Sequence, residues 1–120
     1  MGACGSLKIR VEEMKIAVVQ FNPRIGHLKS NVEKIKGFIG RAKEDGADLI
    51  VFPELAVTGY HPRDLLFYNA FLDGVEKAVT EDIVPLAEGI VVVVGTPWRE
   101  KEGDLPRLYN AALVLKDKKI

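Results

Sequence analysis

The run IVVVV at residues 90–94 has few places it can occupy. Five consecutive β-branched apolar residues without polar alternation describe a strand covered on both faces, as inside a parallel sheet. Residues 14–20 (MKIAVVQ), 48–52 (DLIVF) and 108–115 (LYNAALVL) read as three further strands. Helical patterns separate the first three. After a loop holding Asn22, Pro23 and Gly26, Ser30 and Glu33 stand in capping-box relation. Val32, Ile35, Phe38, Ile39 and Ala42 then fall on one helical face, while Lys29, Lys34, Lys36, Arg41 and Lys43 are left to solvent. Gly46 is a natural stop. Gly37 and Gly40 are costly in a helix interior, and close packing would account for them.

A second helical stretch runs over residues 63–88, interrupted, with Leu65, Leu66, Leu72, Val75, Val79 and Ile83 toward the core and Pro85 breaking it. Residues 98–107 read as a charged loop. Strands alternating with helices give an α/β layered domain, parallel at its start. Two helical segments cover one face of such a sheet. The other face needs a second copy of the chain or further sequence.

Composition agrees with a packed domain, or part of one. The chain has 120 residues, 48% hydrophobic and 28% charged, which excludes disorder as the main reading. Seventeen basic and seventeen acidic residues balance to zero, so no basic excess points to nucleic acid or an anionic membrane. No stretch approaches the roughly 18 apolar residues of a membrane helix. Cys4 is the sole cysteine, which excludes an internal disulfide or a multi-cysteine metal site and points to a reducing, cytoplasmic setting. Residues 1–13 lack a continuous apolar segment and read as a leader or tag remnant, so the domain is placed at 14–120.

Glu54 is the most informative position. It follows a buried strand and Pro53, at the strand's carboxyl end, where open α/β sheets place their ligands. A carboxylate there, beside Phe52 and Leu55, suits a general base. It equally suits a cap for the next turn or a partner for an arginine. His27 and His61 lack any partner spacing for a metal site. Gly26, Gly59 and Gly95 form no phosphate-cradling motif.

Taken in order, VVQFNP, GADLIVFPELAVTGY, IVVVVGTP and LYNAALVL resemble the nitrilase, or carbon–nitrogen hydrolase, superfamily. FPELAVTGYHPRDLL is similar to the amidase domain of glutamine-dependent NAD⁺ synthetases, with His61 where a proline is most often seen. The resemblance implies an αββα sandwich, of which this chain supplies roughly the N-terminal half, and a Glu–Lys–Cys amidase acting on a small amide such as glutamine. It implies Glu54 as the catalytic acid/base and Tyr60 beside the bound substrate. Asn110 matches a family asparagine read as structural. The family's lysine motif and cysteine fall beyond Ile120, Cys4 cannot stand in for the nucleophile, and Lys116, Lys118 and Lys119 read as solvated turn lysines. The segment alone is therefore expected to be inactive. No cofactor is implied for the amidase, and ATP and Mg²⁺ only if a synthetase domain follows. Asp64 reads as a helix-start acid, Trp98 as packing, and Arg99 as close to the pocket rim. The alternatives are an omega-amidase, a carbamoyl-amide hydrolase, or a non-catalytic α/β module that oligomerises through its uncovered sheet face.

Overall fold

The computed structural model describes residues 13–102 and 105–120; the leader assigned to residues 1–13 lies outside them except for Glu13, and Cys4 lies outside with it. Strands β1 (Ile16–Val18), β2 (Leu49–Val51), β3 (Val91–Glu102) and β4 (Leu105–Leu115) form one sheet in that order. The first three pair in parallel and β3–β4 is an antiparallel hairpin. Helix α1 (Leu28–Glu44) links β1 to β2, and α2 (Asn69–Lys77) lies in the connection to β3.

The apolar stripe of α1 buries Val32, Ile35, Ile39 and Ala42 as its periodicity requires, with Phe38 half-buried in a cluster with Phe21 and Phe52. Its end is a Schellman motif. Gly46 adopts φ +75°, its amide donates to the Lys43 carbonyl, and the Ala47 amide donates to that of Ala42. Its start departs from the capping-box expectation: His27 is the N-cap and Ser30 lies inside the first turn. The reason is Asn31, fully buried three residues in. Its Oδ1 accepts from the Arg24 amide at 2.8 Å, and its Nδ2 donates to the carbonyls of Arg24 and Val57 at 2.8 and 3.0 Å. That clamp and the left-handed Gly26 turn the chain into the helix early.

Residues 63–88 are not one helix. A 3₁₀ turn (Arg63–Phe67) ends at the extended Tyr68, α2 follows, and a π-helical turn (Ala78–Ile83) passes into a 3₁₀ turn (Val84–Leu86). Two local causes loosen the ladder: the Thr80 hydroxyl donates to the Glu76 carbonyl at 2.8 Å, and Pro85 has no amide to give. Leu72, Val75, Val79 and Ile83 reach the core, whereas Leu65 and Leu66 stay partly exposed.

The expected charged loop at 98–107 is instead hairpin. Trp98 pairs with Tyr109 and Arg99 with Leu108, continuing the β3–β4 ladder well past the parallel sheet. Residues 105 and 107–110 of β4 are exposed whichever way they face, so this stretch carries no apolar alternation to mark it as strand.

Among the described residues, helices cover one sheet face only. Ile50, Val92, Val94, Leu113 and Leu115 are buried beneath them. On the opposite face Val18, Val51, Val93 and Val114 align across all four strands, with Val18 74% and Val114 54% exposed.

The glycines sort against expectation. Side chains added at Gly37 or Gly40 would meet open space, so close packing does not explain either. A Cβ at Gly95 would lie 2.6 Å from the Leu55 amide nitrogen and 2.7 Å from the Pro53 carbonyl oxygen. Gly40→Ala is therefore expected to stabilise the fold by about 0.5–1 kcal/mol, and Gly95→Ala to destabilise it by about 1–3 kcal/mol. Urea unfolding of the two variants, read for opposite signs, checks both.

Candidate active site

Pro53 ends β2, and the chain turns sharply at residues 53–59 before leaving the sheet. Leu55 takes φ +50° and Gly59 φ +81° within this turn. Both conformations are local costs that surrounding contacts must offset. Those contacts are backbone to backbone. The Gly26 amide donates to the Thr58 carbonyl, the Val57 amide to that of Gly95, and a Cβ at Gly59 would fall 2.8 Å from the Ile25 backbone. Residues 55–59 are consequently buried, while the Glu54 side chain projects outward and is exposed.

The Glu54 carboxylate has a hydrogen-bond partner on β4. Its Oε1 accepts a 2.6 Å hydrogen bond from Nδ2 of Asn110 on β4. Asn110 lies opposite Pro97 in the hairpin, on the strand face shared with Ala112 and Val114. Around this pair is an open pocket of about 300 Å³, walled by Leu55, Pro62, Leu66, Pro97 and Leu108, with Tyr60, His61 and Tyr109 as its other polar-tipped members. Tyr60 thus shares a pocket with Glu54, with five residues of irregular chain between them. Its ring stacks on His61, with centroids 3.9 Å apart and planes at 24°. The pocket combines a carboxylate, a fixed amide and a phenol above apolar walls, a set that can orient a small polar molecule and exchange a proton with it.

The remaining candidates lie elsewhere. His27 stays at the start of α1 and does not join His61. Asp64 sits in the first turn of a short 3₁₀ segment, which no side-chain cap bond closes. Trp98 packs against the core and donates to Glu100. Arg99 turns from the pocket toward α2, where Nε donates to Glu76 at 2.7 Å and Nη2 meets Asp73. These bonds, that to Glu76 foremost, hold its guanidinium even more firmly protonated than usual. Lys116 and Lys119 close a tight turn, and Lys118 pairs with Glu88 at 3.3 Å. Among the described residues no three His, Cys, Asp or Glu side chains gather to hold a metal ion, and no helix is long and apolar enough to cross a membrane. Sequence reading missed the role of Asn110 in this pocket. The available signal was a lone amide inside the apolar strand LYNAALVL, on the opposite face from the buried Leu113 and Leu115.

Comparison with known proteins identifies the family and the fold. The carbon–nitrogen hydrolase family matches residues 15–120. The glutamine-dependent NAD⁺ synthetase of Xylella fastidiosa is 41% identical over 107 residues, covering 88% of this chain and 19% of its own. That of Xanthomonas campestris pv. campestris is 37% identical over 113 residues, covering 93% and 20%. The chain thus spans about a fifth of the length of the curated relatives it matches. Among solved structures, the ADP complex of a glutamine-dependent NAD⁺ synthetase from Acinetobacter baumannii superposes with TM-score 0.80 at 34% identity, over 92% of this chain and 20% of that one. An amidase from Nesterenkonia sp. gives TM-score 0.62 at 28% identity, over 80% and 36%. The mixed α/β fold is therefore the nitrilase-like one expected, present here in part.

The Arg99 clamp joins the projecting hairpin to α2, and Arg99 is only 23% exposed. Arg99→Leu, which leaves Glu76 and Asp73 facing each other unpaired, is expected to lower stability by about 1–2 kcal/mol. Asp73→Ala alone should cost less, because Asp73 is 69% exposed. Chemical denaturation of both variants provides the comparison.

Proposed function

Because the chain belongs to the carbon–nitrogen hydrolase family, we propose that it is the N-terminal part of an amidase that hydrolyses the side-chain amide of glutamine and releases ammonia for NAD⁺ synthesis. The observation that carries the reading is the placement of Glu54 at the carboxyl end of β2, in one pocket with Tyr60. The names and identities of the synthetase relatives support glutamine as the amide.

In this mechanism Glu54 takes the proton of a cysteine thiol, and the thiolate attacks the amide carbon. A lysine stabilises the resulting oxyanion. Protonated Glu54 then passes its proton to the departing ammonia, leaving a thioester. Glu54 next accepts a proton from the water that hydrolyses it. Tyr60, anchored by its stack on His61, lies where it can contact the substrate. In this reading the lysine and cysteine lie outside the fifth of the relatives' length that is matched here, and the matched part by itself is expected not to turn over. No cofactor enters the amidase step; ATP and Mg²⁺ belong to a synthetase part, if one follows. The reducing cytoplasm suits a thiol nucleophile. The substrate is a small molecule, with neither nucleic acid nor membrane as a partner.

The bare valine row favours one second reading, a non-catalytic module that oligomerises through this face. In the amidase reading the rest of the domain covers the same row. Because Asn110, Ala112 and Val114 share a strand face, that cover also walls the pocket.

The test is to exchange residues 14–120 for the matching segment of the Acinetobacter baumannii synthetase and measure ammonia release from glutamine. The hybrid is expected to hydrolyse glutamine, and Glu54→Gln to reduce kcat by about 10²–10⁴-fold with the fold intact. Undiminished hydrolysis in the Glu54→Gln hybrid would remove Glu54 from the mechanism. A well-defined oligomer of the chain alone, with its valine row protected from solvent exchange, would favour the module.

A further inference from the structure

The Glu54 side chain is exposed, and an exposed glutamate ordinarily samples several rotamers. A proton-transfer group needs one. A hydrogen bond reaches this carboxylate from the opposite side of the pocket, from Asn110 Nδ2 to Oε1 at 2.6 Å, across 56 residues of sequence. The amide's orientation is dictated by chemistry, since an ionised carboxylate can only accept.

The side chain of Asn110 is exposed like that of Glu54, but it is short and its backbone is well placed to act as a fixed post. It lies within an antiparallel ladder continuous from Val92–Leu115 to Glu102–Leu105, opposite the buried Pro97 and one position from the buried Thr96. The base is fixed to the same ladder from its own side, because Gly95 allows β3 to touch the backbone of Pro53 and Glu54. Carboxylate and amide are therefore both referred to the β3–β4 hairpin.

From this geometry we infer that Asn110 is a positioning residue for the Glu54 carboxyl, holding Oε1 so that Oε2 is the oxygen that exchanges the proton. The inference rests on the reading of Glu54 as the acid/base. Asparagine suits the task better than a charged donor. When Glu54 is ionised, Nδ2 donates to Oε1. When Glu54 carries a proton on Oε2, Oε1 is the carbonyl oxygen and still accepts the same bond. The post remains attached in both halves of the catalytic cycle. A lysine or arginine at 110 would instead favour the ionised state and oppose the proton uptake that each cycle requires.

Two substitutions separate positioning from packing. Asn110→Leu keeps the size and removes the donor; Asn110→Asp keeps the shape and replaces the donor with an acceptor. In the hybrid amidase, Asn110→Leu is expected to lower kcat about 10–100-fold with KM within about threefold. In the Glu54→Gln background it should add no further loss, since the two residues act as a unit. Asn110→Asp should acquire a pH profile that the parent lacks. Two carboxyls at hydrogen-bond distance hold together only by sharing a proton, so activity recovers as pH falls. A kcat within twofold of the parent for both variants, or an Asn110→Asp profile that superposes on the parent's, would overturn the assignment.

A second measurement needs no turnover. In the chain itself the side-chain amide NMR signals of Asn110 should move as pH is lowered through the carboxylate range, and Glu54→Gln should abolish the movement. An amide that ignores pH, or that still moves in Glu54→Gln, rejects the link between the two residues. If instead Glu54→Gln leaves hydrolysis undiminished while the amide follows Glu54, the acid/base reading fails and the hydrogen bond stands.

Discussion

At Gly95 the backbone of β3 runs against the backbone of residues 53–55 with no room for a methyl group. This contact determines where Glu54 stands. A side chain at 95 would push the turn off the end of the sheet and carry the carboxylate away from β4. The turn is held from its other side by equally close contacts, Gly59 against Ile25 and the Asn31 amide on the Val57 carbonyl. The positive φ of Leu55 persists because these contacts leave the chain no alternative. A flexible, exposed glutamate side chain thus hangs from one of the most constrained stretches of backbone in the molecule.

Much of this architecture is legible in the residues, for physical reasons. IVVVV at 90–94 has no polar face and must lie within a sheet, and β3 indeed pairs with strands on both sides there. Val32, Ile35, Ile39 and Ala42 announce the buried stripe of α1. The place of Glu54 at the carboxyl end of β2 follows from the buried strand and the proline before it. Features set by tertiary contact are not readable in this way. The hairpin at 98–107 is held by backbone pairing and by Arg99 reaching α2, neither of which leaves an apolar signature. Gly37 and Gly95 are the same letter in the sequence, yet one faces open space and the other a backbone less than 3 Å away. Asn31 and Asn110 look alike as polar interruptions; one ties two loops together and the other grips a carboxylate.

The pocket and the bare sheet face cannot be considered separately. Asn110 and Val114 lie two pleats apart on one side of β4, and Val114 ends the row of valines that crosses every strand. Whatever settles on those valines also narrows the opening above Glu54. In the amidase reading, covering the valines and desolvating Glu54 go together, and the drier surroundings strengthen every electrostatic interaction in the pocket.

The two kinds of pairing in the sheet also form on different schedules. The β3–β4 ladder pairs segments that are neighbours in sequence, so its closure is local and fast, on the order of microseconds for an isolated hairpin. The parallel pairs β1–β2 and β2–β3 each wait for an intervening helical connection to pack, a larger loss of chain entropy before any reward. Asn110 belongs to the early element and Glu54 to the late one. The hydrogen bond between them reports that the slow, long-range part of folding is complete, so a chain arrested partway would present the amide with its carboxylate still absent.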